Sequence, residues 1–275
     1  MPNNKLISSD PLNSSGKPSV SGEISIQLIR HATLLIQVGP YQFLVDPMLS
    51  PKYAMEPVQN TSNSHRIPMT DLPYNAEWIN SMVDNVNAVI ITHVHRDHWD
   101  NEAQEKIPKD KFIFCQPSDI DIIKSQGFLN VTSFEDLTWN EINFHRTEGQ
   151  HGTGEIGKKM GIVSGVIIVY KSKTIYLAGD SIWCDEVKNA IDRYRPNAIV
   201  VNSGAAQFLT GEPITMDAED VLSVVKHSGK AKIIAVHMDT VNHCHLTRTL
   251  LKGFLESENM INQVQVPLDG DIIIV

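Results

Sequence analysis

Apolar positions alternate with polar ones at the start of the ordered pattern: Ile24, Ile26 and Leu28 share one side, as in a half-buried strand. Thr33 to Val38 and Tyr41 to Val45 continue in strand-like fashion, joined by Gly39-Pro40, a hairpin-like signal. Residues 47–74 are rich in Pro, Asn and Ser and predict a long loop, which inside a compact domain is usually functional. A short helix is predicted from Asn75 to Met82, with Asn75 as its cap. Ala88 to Thr92 reads as a buried strand, Phe112 to Cys115 as a short one, and Ser118 to Gln126 as a helix stopped by Gly127. Strands are predicted at Val131 to Phe134 and Glu141 to Arg146, and a second hairpin from Gly161 to Tyr170 and Thr174 to Ala178. Then come a helix from Asp185 to Tyr194, a buried strand from Ala198 to Asn202 and an irregular loop from Gly204 to Ile214. A helix from Asp217 to His227, a strand from Lys232 to Val236 and a helix from Leu246 to Glu258 follow; Val264 to Val266 and Ile272 to Val275 close the chain as strands.

Hairpins precede strand–helix alternation in both halves, which divide near residue 155. A purely parallel, doubly wound sheet would not begin with hairpins. The order therefore predicts an α+β architecture of two packed mixed β-sheets with helices outside. Residues 1–22, rich in Ser, Asn, Pro and Gly, read as a flexible N-terminal arm, and residues 23–275 as a single domain.

Composition narrows the setting. The chain has 275 residues, 41% hydrophobic and 20% charged, which is ordinary globular composition. The formal net charge of -9 argues against a nucleic-acid partner, which needs a basic face. Only three cysteines occur, Cys115, Cys184 and Cys244, an odd number too widely spaced for a disulfide framework. No apolar run resembles a signal peptide or spans a bilayer. The expectation is a cytoplasmic protein with a small-molecule substrate, no nucleic acid and no membrane; its oligomeric state leaves no trace in the sequence.

Candidate chemistry is concentrated in Thr92-His93-Val94-His95-Arg96-Asp97-His98-Trp99-Asp100, directly after the buried strand. In an extended segment alternate residues point the same way, so His93 and His95 can reach one ion. A turn beyond them would aim Asp97 and His98 at a second. Imidazole and carboxylate at this density suit zinc, with manganese or iron as alternatives. Ligand-type residues recur past other apolar strands: Asp46 after Tyr41 to Val45, His151 after Glu141 to Arg146, Asp180 after Thr174 to Ala178, and His237 after Lys232 to Val236. Such ends can converge on one edge of a sheet sandwich, where loops carry function.

His-x-His-x-Asp-His after an apolar strand resembles the metallo-β-lactamase superfamily, and the likeness covers roughly residues 24–240. It implies a four-layer αββα sandwich with two divalent metal ions at one edge. It implies His93, His95 and His151 on the first ion, Asp97, His98 and His237 on the second, and Asp180 bridging. Gly179-Asp180 after a strand is typical of the superfamily, although Asp180 could also cap the helix that follows. Asp46 is expected to orient a ligating imidazole. Arg30-His31-Ala32-Thr33 resembles an element of ascorbate-phosphate lactonase-like proteins, with Arg30 in place of their glycine; His31 could act behind a ligand or be structural. Asp100 is expected to cap a short helix, and Cys184 and Cys244 to pack rather than ligate.

The resemblance further implies a metal-dependent hydrolase that makes hydroxide at a dinuclear centre. Its substrate would be a small ester, lactone, amide or phosphoester. Asp97 and His243 are the candidate catalytic residues: Asp97 could hold the nucleophile in line, and either His243, which is also the runner-up to His237 as a ligand, or metal-bound water could protonate the leaving group. A metallo-phosphodiesterase or nuclease, a di-iron redox protein and a silent binding module are the competing classes. Specificity is expected in loops 47–74 and 204–214, with Tyr53, Trp183 and Phe208 as pocket candidates.

Overall fold

A computed structural model describes residues 24–275; the arm predicted over residues 1–22 lies outside the described residues. The chain opens with an antiparallel trio, β1 (Ile24–Arg30), β2 (Thr33–Val38) and β3 (Tyr41–Val45), then adds three strands parallel to β3: β4 (Ala88–Ile91), β5 (Phe112–Cys115) and β6 (Asn130–Ser133). The second sheet opens with the antiparallel β7 (Leu137–Trp139), β8 (Ile142–Glu148), β9 (Ser164–Tyr170) and β10 (Lys173–Leu177). It continues with β11 (Ala198–Asn202), β12 (Lys232–Val236) and β13 (Val264–Gln265), parallel to β10. The last strand, β14 (Ile272–Ile274), returns to pair with β1, so each sheet has seven strands among the described residues.

Strand periodicity builds the layers. In β4, Ala88 and Ile90 face the core between the sheets with Phe43 and Val45, while Val89 and Ile91 face helices. In β11, Ala198 and Val200 point inward and Ile199 and Val201 outward. Helices α1 (Ala76–Asn85), α2 (Asn101–Lys106) and α3 (Ile120–Ser125) cover the first sheet through Ile79, Val83, Ala103 and Ile123. Helices α5 (Asp185–Tyr194), α6 (Ala218–His227) and α7 (Arg248–Ser257) cover the second through Val187, Val224 and Leu251. The result is the αββα sandwich. Asn75 caps α1 by accepting from Trp78 N, and Asp100 caps α2 by accepting from Ala103 N, each stabilising its helix by about 1 kcal/mol.

The structure departs from the sequence reading in three places. The second sheet starts at β7, so the division falls near residue 135 rather than 155. β7 has only three residues, bracketed by Asp136 and Asn140 in left-handed backbone, too short to alternate visibly. Helix α4 (Gly154–Met160) has no counterpart in the sequence pattern: it has two glycines and no buried side chain, so it shows no apolar stripe. The helix read from Ser118 to Gln126 begins as a 3-10 turn at Pro117–Asp119 before α3. No helix among the described residues is long and apolar enough to cross a membrane.

Candidate metal centre

Parallel strands share polarity, so their C-terminal ends collect on one edge of each sheet. β8 runs the same way as β10, and β1 the same way as β3. The candidate donors stand one to three residues past these ends: Asp46 after β3, His93 after β4, His151 after β8, Asp180 after β10 and His237 after β12. Tight backbone turns aim them into the groove between the sheets. Asp46 and His237 adopt left-handed φ of 43° and 70°, rare for residues with a side chain and a mark of strained, functional turns. Gly179 (φ 67°) brings Asp180 in; a Cβ there would stand 2.5 Å from the Ser164 carbonyl oxygen. After His95 the chain turns sharply, with the backbone N–H groups of His98 and Trp99 both donating to the His95 carbonyl at 2.9 Å. That turn separates Asp97 and His98 from the His93–His95 pair.

Every donor expected from the sequence enters one cluster. Donor atoms of His93, His95 and His151 converge, as do those of Asp97, His98 and His237, the latter group joined by His31. Asp180 lies between. Its Oδ2 is 3.2 Å from His98 Nε2, 3.5 Å from His151 Nε2 and 3.9 Å from His93 Nε2, while Oδ1 is 3.4 Å from His237 Nε2. Asn202 Nδ2 donates to Asp180 Oδ1 at 2.7 Å and fixes the carboxylate.

The donor set fits cations. His93 Nε2 and His95 Nδ1 stand 3.0 Å apart, and His98 Nε2 and His237 Nε2 3.2 Å apart. Paired imidazole nitrogens face each other at this distance only around a shared proton or a cation. The nitrogens on the far sides of the rings are engaged as well. Nδ1 of His98 donates to Asp46 Oδ2 at 2.9 Å, and Nδ1 of His151 to the Ile214 carbonyl at 2.7 Å. Thr92 ties these partners together: its N–H and hydroxyl donate to the two oxygens of Asp46 at 2.8 and 2.7 Å, and its oxygen lies 3.1 Å from His93 Nδ1. Orienting partners of this kind fix tautomer and ring direction.

Electrostatics polarise the cluster. Burial disfavours a charged His98, but Asp180, Asp97 and Asp46 outweigh it and raise its pKa to about 10. His237 rises in the same way, with Asp180 overcoming burial. Burial opposes the charged carboxylates too, yet His237 and His98 hold Asp180 well below the usual range, and His98 with His237 and His31 do the same for Asp97. His93 and His151 are pushed down, first by burial. The carboxylates thus favour the charged imidazole at His98 and His237 over that at His93 and His151.

A cavity of about 400 Å³ opens over the cluster. His95, Asp97, His151 and Asp180 form its floor, and His243 and Phe208 one wall, their rings 5.8 Å apart. His243 is pushed down to about 4, mainly by burial, and stands outside the cation-holding groups. Loop 47–74 supplies Glu56 to Gln59, and loop 204–214 supplies Phe208 and Ile214. Tyr53 and Trp183 do not line it. Tyr53 is half exposed beside Lys52, and Trp183 packs against His227 on the helical side. Arg96 and Met160 line it without having been singled out; Met160 ends the helix that periodicity did not reveal.

Arg30 is fully buried and donates to the carbonyls of Met48, Ser50 and Thr70 at 2.7, 2.9 and 3.2 Å, tying both ends of loop 47–74 to β1. Asn242 holds the middle of that loop, accepting from Val58 N at 2.8 Å and donating to Thr61 Oγ1 at 2.8 Å and to the carbonyls of Val58 and Asn63 at 3.1 Å. Neither contact has a local sequence signal, because the partners are distant in the chain. The same is true of Asn202. Cys244 does not join the donors, but its Sγ lies 3.7 Å from His237 Nδ1.

A model of the beta-lactamase superfamily domain matches residues 41–238. The UPF0173 protein YddR of Bacillus subtilis is 37% identical over 254 residues, 90% of this chain and 98% of that protein. The isothiocyanate hydrolase from Delia radicum gut bacteria is 35% identical and superposes with a TM-score of 0.85, covering 90% of this chain and 98% of that one. A possible metal-dependent hydrolase from Veillonella parvula is 37% identical with a TM-score of 0.86, covering 92% of this chain and 99% of that one.

Proposed function

The chain belongs to the metallo-β-lactamase superfamily of metal-dependent hydrolases, and from that premise we propose that it holds a pair of divalent cations, zinc first, and hydrolyses a small electrophile. His93, His95 and His151 would hold one cation, and Asp97, His98 and His237 the other. The observation that carries this reading is Asp180. A single carboxylate lies within 4 Å of ring nitrogens from both groups, the position a bridging ligand requires. Bound cations supply Lewis-acid charge and bring the pKa of water toward neutrality.

The chain's own residues do the rest. Asp97 lies on the cavity floor, where its carboxylate would hold the attacking water in line. Asn202 and Asp46 keep Asp180 and His98 from turning away. His243, mainly neutral at pH 7, offers a hydrogen bond to the leaving atom from the wall of the cavity rather than a stored proton. Phe208, Ile214, Met160, Pro57 and Val58 give an apolar surface for a substrate side chain. A cavity near 400 Å³ admits a small molecule, and Arg96 as the one Lys or Arg among the described residues that line it argues against a polyanionic strand.

The similar isothiocyanate hydrolase points to the first substrate to test. Water adds to the central carbon of R–N=C=S, the carbon–nitrogen bond breaks, the nitrogen takes both protons, and R–NH2 and COS leave. Esters, lactones, amides and phosphoesters are the other arms of the panel, lactones being the arm that the Arg30-His31-Ala32-Thr33 element favours. The unpaired thiols of Cys115, Cys184 and Cys244 support a reducing, cytoplasmic setting. The test is turnover of an aryl or alkyl isothiocyanate by zinc-loaded protein, followed as amine release. Amine release that stops on chelation and returns with zinc is expected. No metal-dependent turnover of any member of the panel would overturn the hydrolase reading.

A further inference from the structure

His31, in the turn between β1 and β2, reaches the same cluster. Its ring is fully buried, packs on His237 with 3.6 Å between centroids and a 37° tilt, and places Nε2 3.2 Å from Asp97 Oδ2. By distance it qualifies as a further ligand beside Asp97, His98 and His237. The far nitrogens separate the two roles. An imidazole that gives one lone pair to a cation carries its proton on the other nitrogen, and that proton needs an acceptor.

The proposed ligands meet this requirement. The far nitrogen of His98 faces Asp46, that of His151 faces the Ile214 carbonyl, that of His93 faces Thr92 Oγ1, and that of His237 faces the Cys244 sulfur. His95 carries no buried unpaired nitrogen. His31 Nδ1 is buried with no hydrogen-bond partner among the described residues. As a ligand, His31 would bury a bare N–H. With its proton on Nε2 it leaves only a lone pair unmet and donates to a carboxylate, which can only accept.

We infer that His31 is a positioning residue that donates through Nε2–H to Asp97 Oδ2 and braces the His237 ring, setting the geometry of the second cation's site; this rests on the cation-pair reading above. The backbone agrees. His31 and His237 both hold left-handed φ, 59° and 70°, and His237 N donates to the His31 carbonyl at 3.0 Å, so the two turns lock each other. Arg30 next door anchors the turn to loop 47–74.

Two variants test this. His31→Gln keeps an N–H at similar reach; His31→Phe keeps a ring on His237 and removes the donor. With cobalt(II) as probe and chelator competition as readout, His31→Phe is expected to weaken one of the bound equivalents by about 10–100-fold. His31→Gln is expected to stay close to wild type, with the cobalt X-ray absorption edge showing no lost nitrogen scatterer. Wild-type affinity in His31→Phe would overturn the inference. So would a His31→Gln protein that binds weakly and lacks one nitrogen scatterer, the signature of a ligand. Should His31→Phe fail to fold, the behaviour of His31→Gln decides alone. If wild-type protein takes up a single equivalent, the cation-pair reading fails by itself. The His31 inference is then read from metal-free crystals of His31→Phe, in which Asp97 turned away supports it and Asp97 unmoved overturns it.

Discussion

Asp46 Oδ2 accepts a hydrogen bond from His98 Nδ1 at 2.9 Å, while both oxygens of the same carboxylate are tied to Thr92. One side chain at the end of β3 thus sets the tautomer of His98 and joins it to the end of β4. Removing such a partner typically costs about 10–100-fold in metal affinity. Asp46→Ala should therefore weaken cation binding by that order and destabilise the fold by about 1–3 kcal/mol, since it strands buried donors. Chelator competition and thermal melting check both. Thr92→Val should weaken binding less, because the backbone N–H of residue 92 still holds Asp46.

Asp180 and Asn202 form the second testable pair. Asp180→Ala should abolish turnover and remove one bound cation, measured by elemental analysis of the purified variant. Asn202→Leu deletes the donor 2.7 Å from Asp180 Oδ1 but keeps the carboxylate. It should keep both cations and lose turnover by a smaller factor, about tenfold for a few tenths of an ångström of misplacement. Unchanged turnover in Asp180→Ala would remove the bridging role.

Asn242 is expected to act on substrate binding rather than on the cations. Four hydrogen bonds from its side chain hold the loop that carries Val58 and Gln59 over the cavity. Asn242→Ala should free that loop, raise KM more than it lowers kcat, and leave metal content unchanged. Faster amide hydrogen exchange confined to residues 56–64 is the accompanying signature; protection equal to wild type would contradict it.

Cation uptake should expel protons. His98 has a pKa raised to about 10, so near pH 7 it carries an extra proton in the cation-free chain and must lose it to ligate, and the upward shift of His237 acts in the same direction. Affinity should accordingly climb as pH rises from about 6 toward about 9. The stability sign runs the other way for the cation-free chain. A raised imidazole pKa stabilises the fold fully below the unfolded value near 6.5, and that contribution fades as pH climbs through about 10. Titration calorimetry of zinc binding in buffers of different ionisation enthalpy reads the proton release; heats independent of buffer would contradict it.

Most of the donor set was legible in the sequence because it obeys a local rule. Asp46, His93, His151, Asp180 and His237 each follow an apolar strand, and strand runs such as Ala198 to Asn202 and Lys232 to Val236 carry their own period. What escaped depends on contacts between distant segments. Asn202 looks like any strand-terminal polar residue until the fold brings Asp180 against it, and Asn242 is indistinguishable in sequence from its loop neighbours. Tyr53 and Trp183 were misplaced for the same reason: aromatic character says nothing about which side of a loop faces the cavity. The return of β14 to the first sheet is likewise a pairing between the two ends of the chain, invisible to any local window.

The central claim is that separate strand ends meet around a pair of cations. The most direct measurement is anomalous X-ray scattering at the zinc edge from crystals of zinc-loaded protein. Two peaks are expected, one among His93, His95 and His151, the other among Asp97, His98 and His237, with Asp180 between them. A single peak, or peaks away from these side chains in crystals of fully active protein, would contradict the account.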